Sequence, residues 1–207
     1  MNLRDALTEA PIVAILRGIT PEEVRAVAEA LWTAGIRIVE VPLNSPQPLR
    51  SIELLANTFA ERLVIGAGTV LRPEAVDDVR VAGGSIIVAP NTDVWVIGRA
   101  LDLGLEPVPG SATPTEAFLA YHAGARYLKL FPAATMGTSY LKALQVVLPL
   151  DAVTLAVGGV TASEMHEWWA AGARGFGIGS EIYRPGQSAA EVARAARRLV
   201  SIIKPSV

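Results

Sequence analysis

The chain has 207 residues, a formal charge of −2, no cysteine and two histidines, and 51% of its residues are hydrophobic. This length is sufficient for one domain with a substantial core, and the lack of cysteine excludes disulfides and thiolate metal sites. Charged residues and prolines interrupt every apolar stretch, so no membrane span is expected, and the absence of a basic run argues against nucleic acid as a partner.

Short β-rich segments alternate with helical patterns along the whole chain. This alternation predicts βα units and a parallel sheet. Eight strands with short connections favour an α/β fold of the (β/α)8 TIM barrel type, a single domain over residues 1–207, although an open doubly wound sheet has the same alternation. The eight expected strands, each followed by a helix, are residues 13–18, 37–43, 63–70, 85–90, 105–110, 126–131, 153–159 and 174–180.

The boundaries of the units are marked by glycine and proline. Glycine-containing stretches at 33–35, 82–84, 103–104, 122–125 and 170–173 precede strands, as expected where a left-handed glycine ends a helix. Helix starts are indicated at Thr20-Pro21, Pro73, Pro114 and Thr161 or Ser163. The opening stretch to Glu9 is expected to form a short helix over the bottom of the barrel, and the residues from Pro205 onward are expected to be frayed.

Lys129 is the first candidate for catalysis, because it lies inside the apolar strand segment RYLKLFP. Burial lowers the pKa of an amine, and a neutral amine is what attack on a ketone requires. The alternative is a lysine that pairs with a buried carboxylate or extends out of the barrel mouth.

Glu40 interrupts a second buried strand, in the segment IRIVEVPL. Active sites of such barrels lie at the carboxyl ends of the strands, where Arg17 and Thr69 are also found. By strand alternation Glu40 shares a face with Ile38, Arg17 with Ile15, and Thr69 with Ile65 and Ala67, so all three are expected to point into the barrel. The alternative for Glu40 is a salt bridge to Lys129 or Arg17, which is compatible with a base beside an imine lysine.

The seventh and eighth units end in the glycine-rich segments AVGGVT and GIGS. Loops after the last two strands of a barrel, with free amides and a helix N-terminus, commonly bind phosphate. Gly158, Gly159, Gly179 and Ser180 are the candidates. Glycines here would equally permit tight strand-to-helix turns.

Several motifs resemble those of one family, in its order and spacing. They are VAILRGIT, VEVPLNSP, IGAGTVL, VAPN, PGSATPTEA, YLKLFPA, AVGGVT and GIGSEIY. They resemble the 2-keto-3-deoxy-6-phosphogluconate (KDPG) and 2-keto-3-deoxy-6-phosphogalactonate (KDPGal) aldolases, which are class I pyruvate aldolases. The resemblance implies the following site: Lys129 as imine-forming lysine, Glu40 as acid/base, Arg17 and Thr69 near the pyruvate-derived part, and Gly159, Gly179 and Ser180 at the phosphate.

One departure from the gluconate-type pattern concerns the branch of the family. Gluconate-type enzymes usually carry an arginine four residues after the glutamate, where this chain has Asn44 in EVPLNSP. LNSP and LRGIT resemble the galactonate-type branch instead, and Arg17 could supply the missing positive charge. Because the two substrates differ only in configuration at C4, overlapping activity is expected.

The resemblance implies cleavage of 2-dehydro-3-deoxy-6-phosphogalactonate to pyruvate and D-glyceraldehyde 3-phosphate, with no metal and no organic cofactor. It also implies a homotrimer, although Trp95, Trp168 and Trp169 would equally fit packing within one subunit. Residues 1–11 lack a signal-peptide pattern, so a cytoplasmic location is expected. Two alternatives remain open: a phosphosugar isomerase or epimerase with Glu40 as base, and an inactive barrel that only binds a phosphorylated metabolite.

Overall fold

The computed structural model describes residues 1–203; the residues from Pro205 onward, for which fraying was predicted, lie outside the described part. It confirms a single-domain barrel of parallel strands surrounded by helices. The strands are β1 (Ile12–Ile15), β2 (Ile38–Pro42), β3 (Val64–Gly68), β4 (Ile86–Val88), β5 (Glu106–Val108), β6 (Gly110–Ser111), β7 (Tyr127–Leu130), β8 (Val153–Val157) and β9 (Gly175–Ile178).

A helix follows each strand position, and one precedes them all. The helices are α1 (Leu3–Glu9), α2 (Pro21–Thr33), α3 (Pro48–Phe59), α4 (Pro73–Val81), α5 (Val94–Asp102), α6 (Pro114–His122), α7 (Ala133–Met136), α8 (Thr138–Gln145), α9 (Met165–Ala170) and α10 (Ala189–Ile203). A 3-10 helix, Ala162–Glu164, leads into α9. Within residues 1–203, no helix combines the length and apolarity needed to cross a bilayer.

The fifth predicted strand, residues 105–110, is divided into β5 and β6 at Pro109. The strand order is β5-β4-β3-β2-β1-β9-β8-β7-β6, so β5 pairs with β4 while β6 pairs with β7. The Pro109 carbonyl accepts a hydrogen bond of 2.9 Å from the Lys129 amide. The two halves of one strand position therefore close the barrel, and the predicted eight units are confirmed.

Two hydrophobic layers hold the barrel together. The inner layer consists of strand residues such as Val13, Ile38 and Leu155, and α1 inserts Leu3 and Leu7 into it from the amino-terminal end. The outer layer lies between the strands and the helices and forms the larger cluster. The predicted short helix over the bottom of the barrel is thus confirmed, and it leaves the carboxyl-terminal end of the barrel open.

The predicted helix boundaries are also found. Glycines with positive φ follow helices at Gly35, Gly83, Gly104, Gly124 and Gly172. At the other end, Pro21, Pro73 and Pro114 occupy first-turn positions, and Thr161 forms a capping box with Glu164. The helix starts fix where the loops at the open end of the barrel finish, and the glycines begin the loops at the opposite end.

Candidate active site

A cavity of about 330 Å³ opens at the carboxyl-terminal ends of the strands. Its walls come from β1, β2, β7, β8 and β9 and from the loops that follow β1, β3, β4, β7, β8 and β9. All seven predicted site residues line it: Arg17, Glu40, Thr69, Lys129, Gly159, Gly179 and Ser180. The fold therefore brings together side chains that are up to 163 positions apart in the sequence, from Arg17 to Ser180.

Lys129 lies near the end of β7 and is only 7% exposed. The Nζ atom is 4.7 Å from the centre of the Phe131 ring, a cation–π distance for the protonated amine. Burial lowers the pKa of Lys129, the positive charge of Arg17 lowers it further, and the negative charge of Glu40 opposes both. The amine is thus shifted towards the neutral form that a nucleophile requires.

Glu40 lies in the middle of β2 and is 2% exposed. Burial raises its pKa, while the positive charges of Lys129 and Arg17 counteract part of that increase. Its Oε2 atom is buried without any hydrogen-bond partner. An unpaired buried carboxylate oxygen is costly, so this oxygen is available for a group that the cavity receives, such as a substrate hydroxyl or a water.

The salt bridge proposed above as an alternative role for Glu40 is not formed. Among residues 1–203, the ion pairs include neither Glu40 nor Lys129. The two groups influence each other's pKa through their charges without direct pairing. The Glu40 carboxylate and the Lys129 amine therefore both remain free for other partners.

Arg17 follows β1 and is exposed at the cavity mouth. Its Nη1 donates a hydrogen bond of 2.9 Å to the side-chain oxygen of Asn44, and the Gly18 amide donates one of 3.0 Å to the Ser45 hydroxyl. The LNSP segment thus holds the LRG segment in place. The positive charge of Arg17 lowers the pKa of both Glu40 and Lys129, and that it supplies the missing charge stays a prediction.

Thr69 reaches the cavity, but the strand-alternation argument for it was wrong. Ile65 and Ala67 belong to the outer layer that faces the helices, so alternation alone would place Thr69 outside the barrel. Thr69 instead follows the end of β3 with a left-handed φ of 59°, which turns the chain. A β-branched residue is rarely found in this conformation, and the turn places Thr69 in the cavity lining.

The two glycine-rich loops form the outer wall of the cavity. Gly158 and Gly159 have positive φ values of 94° and 76°. Within residues 1–203, the amides of Gly159, Gly179 and Ser180 make no hydrogen bond. Free backbone amides from two adjacent loops are a suitable site for a phosphate.

Arg184 is a cavity residue that sequence reasoning missed. It lies four residues after Ser180 and lines the same wall. Its Nε donates a hydrogen bond of 3.0 Å to the Ser180 carbonyl. The turn is anchored because the Tyr183 hydroxyl, 3.1 Å from the Glu23 carboxylate, ties it to α2. The sequence did contain a signal for Arg184, namely a positively charged residue shortly after the predicted phosphate loop.

A larger cavity, of about 720 Å³, lies at the amino-terminal end of the barrel near α1 and α10. It contains neither the buried lysine nor the unpaired carboxylate, so the smaller cavity is the better candidate active site. Within the described residues, no group of three or more His, Asp or Glu side chains is placed to hold a metal ion.

Comparison with known proteins agrees with this geometry. The profile of the family described as "Aldolase: KDPG and KHG aldolase" matches residues 3–195. The 2-dehydro-3-deoxy-6-phosphogalactonate aldolase of Escherichia coli strain K12 is 46% identical over 200 residues, covering 97% of this chain and 98% of the relative.

Two solved structures extend the comparison. A structure described as native KDPGal superposes with a TM-score of 0.91 at 47% identity, covering 93% of each chain. KDPG aldolase from Legionella pneumophila, with pyruvate captured as a covalent carbinolamine, has a TM-score of 0.82 at 27% identity and covers 95% of this chain and 94% of its own. The chain belongs to the KDPG and KHG aldolase family.

Proposed function

We propose that this protein is a class I aldolase that cleaves 2-dehydro-3-deoxy-6-phospho-D-galactonate to pyruvate and D-glyceraldehyde 3-phosphate. The observation that carries the proposal is the buried Lys129 amine in one cavity with the unpaired carboxylate oxygen of Glu40. The loops with free amides line the outer part of the same cavity. A phosphorylated keto acid matches this arrangement, with its ketone inside and its phosphate outside.

The first step is formation of an imine at Lys129. The neutral Nζ attacks the C2 ketone and gives a carbinolamine, and loss of water then gives a protonated imine. Glu40 transfers the protons for this dehydration, because burial raises its pKa and makes its protonated form more accessible. The capture of pyruvate as a carbinolamine in the Legionella enzyme supports the same chemistry here.

The second step is cleavage of the bond between C3 and C4. The Glu40 carboxylate, directly or through a water, removes the proton from the C4 hydroxyl, and the C3–C4 electron pair moves into the imine. D-Glyceraldehyde 3-phosphate leaves, and an enamine of pyruvate remains on Lys129. Protonation of C3 and hydrolysis of the imine release pyruvate and restore the free amine.

The galactonate configuration is favoured over the gluconate configuration by two observations. The E. coli relative named for phosphogalactonate shares 46% identity, whereas the Legionella KDPG aldolase shares 27%. In addition, Asn44 stands where gluconate-type enzymes usually carry arginine, and it holds Arg17 instead.

The test of this function is turnover of both C4 epimers, followed by reduction of the released pyruvate with lactate dehydrogenase. We expect cleavage of both, with the higher kcat/KM for the galactonate epimer, and no effect of EDTA because the lysine supplies the electron sink. Chelator-sensitive cleavage would contradict the imine mechanism. Isomerisation or epimerisation without release of pyruvate would support the alternative enzyme class, and binding without turnover would support an inactive barrel.

We further propose that the protein is a homotrimer and acts in the cytoplasm. Trp168 is buried within the subunit, but Trp95 is 76% exposed and Leu119, on the neighbouring α6, is 47% exposed. Exposed large apolar side chains of this kind are typical of subunit interfaces. Light scattering is expected to give three times the subunit mass of 21.8 kDa. Cell fractionation checks the location. A cytoplasmic location is favoured because the proposed products, pyruvate and D-glyceraldehyde 3-phosphate, are central metabolites.

A further inference from the structure

Gly68 is the last residue of β3 and lies beside the Glu40 carboxylate. The two strands are in register, with Gly66 opposite Glu40 and Gly68 opposite Pro42. A β-carbon at position 68 would lie 2.6 Å from Oε1, 2.8 Å from Cδ and 3.0 Å from Oε2 of Glu40. All three of its nearest atoms would therefore belong to one carboxyl group.

The backbone does not explain why this residue is glycine. Gly68 lies in a regular strand and is absent from the glycines with positive φ. Gly66 differs, because its β-carbon would lie 2.0 Å from the Ile86 carbonyl oxygen, so its role is a close approach of two backbones. At position 68, the absent side chain leaves room for the carboxyl group of Glu40.

We propose that Gly68 is a positioning residue for the reaction: it provides the space in which the Glu40 carboxylate stands beside Lys129. This inference rests on the proposed acid/base role of Glu40. The carboxylate fills the space next to Gly68 but keeps Oε2 without a hydrogen bond. Glycine at this position thus provides the space for the carboxylate and forms no hydrogen bond to its oxygens.

Gly68→Ala is expected to displace the carboxylate while the barrel folds, because the crowded atoms are the end of a flexible side chain. A displacement of about 1 Å in a reacting group costs on the order of 10²-fold in rate. We expect kcat to fall by about that factor with a smaller change in KM. The pH profile of kcat should also change, because the surroundings of the Glu40 carboxyl change.

The test is a double-mutant cycle with two partners at position 40, Gln and Asp. In a Glu40→Gln background, Gly68→Ala is expected to have no further effect on kcat, because the group that it positions is gone. In a Glu40→Asp background, the shorter side chain leaves room for the added methyl group. Gly68→Ala should then cost much less than in the wild type.

The matched control is Gly175→Ala on β9. Its β-carbon would meet Leu155 and Leu7 at 3.0 to 3.3 Å, at the closed end of the barrel. This variant is expected to lower thermal stability and to leave the pH profile of kcat unchanged. It separates crowding of the barrel interior from displacement of the carboxylate.

Three results would overturn the proposal: a folded Gly68→Ala variant with wild-type kcat and pH profile, an equal loss in the Glu40→Gln background, or an equal loss of fold with and without Glu40→Asp. If Gly68→Ala alone failed to fold and the double variant with Glu40→Asp folded, that result would support the proposal. Failure of the proposed function is distinguishable, because the wild-type protein would then release no pyruvate, whereas failure of the acid/base role alone would leave Glu40→Gln with full activity.

Discussion

The inner and outer parts of the cavity are built from different materials. The inner part uses two titratable side chains on strands, Lys129 and Glu40. Burial shifts the pKa of each in the direction that favours its neutral form. The outer part uses the backbone amides of Gly159, Gly179 and Ser180 in two loops. Chemistry that moves protons requires groups that titrate, whereas binding a phosphate, which stays anionic throughout the reaction, requires fixed donors.

The largest effect is expected at the inner part. Glu40→Gln should lower kcat by about 10²- to 10⁴-fold, the usual contribution of a general acid/base. The coupled release of pyruvate measures this loss. The control is Glu106→Gln, because Glu106 is a half-buried strand carboxylate whose pKa is also raised by burial, and it lies on β5 outside the cavity. Similar losses in both variants would contradict a specific role for Glu40.

The same inner pair should reduce the stability of the fold. Lys129→Met combined with Glu40→Met is expected to raise the free energy of unfolding by about 1–4 kcal/mol at pH 7, because two buried ionisable groups no longer require desolvation. Denaturant unfolding of the two proteins measures the difference. The double variant is used because removal of one member alone leaves the other charge buried and uncompensated.

The pH dependence of this stability follows from the two shifts. Burial raises the pKa of Glu40, so stability is lost as the pH rises from the ordinary glutamate range through the raised value. Burial lowers the pKa of Lys129, so its penalty is present below the lowered value and disappears as the pH rises towards the ordinary lysine range. The double variant should lack both slopes. If it kept them at wild-type stability, the buried pair would not be their source.

A smaller effect, confined to substrate binding, is expected at the outer part. A β-carbon on Gly179 would meet nothing within 4 Å, so a side chain fits there. Gly179→Asp should lower kcat/KM for the phosphorylated substrate by about 10- to 100-fold, because it adds a like charge beside the phosphate. Gly179→Asn is the neutral control of the same shape. Equal losses in both variants would show that charge is not the cause.

The smallest effect is expected for Arg184, at the rim. Its guanidinium is exposed and held by the Ser180 carbonyl, so it would add one charge-assisted hydrogen bond to the phosphate. Arg184→Gln should raise KM by roughly 10-fold, corresponding to about 1.4 kcal/mol, with kcat unchanged. Increasing salt should reduce the difference between the two proteins. A fall in kcat at unchanged KM would place Arg184 in the chemistry instead.

The barrel and its inner pair could be predicted because both follow from alternation. The period of the βα units gives the fold, and the strand parity of Glu40 with Ile38 places its carboxylate inside the barrel. Even the division of the fifth strand had a signal, since Pro109 lacks an amide for the ladder. Alternation failed at Thr69, because it stops where the strand stops and a left-handed turn takes over.

Contacts between loops and between neighbouring strands were beyond the sequence. The hydrogen bond from Arg17 to Asn44 joins residues 27 positions apart, and no periodicity relates them. The space beside Gly68 is visible only once β2 and β3 are placed in register. Arg184 was missed because the anchored turn that brings it back over Ser180 depends on Tyr183 reaching α2.

The most direct measurement is incubation with pyruvate and sodium borohydride, followed by intact mass and peptide mapping. The account predicts one reduced pyruvate per chain, located on Lys129, with the exposed Lys142 unmodified as an internal control. Lys129→Arg, which keeps a positive charge in place of the amine nucleophile, should show no adduct. An unmodified wild-type protein, or an adduct on another lysine, would contradict the imine mechanism.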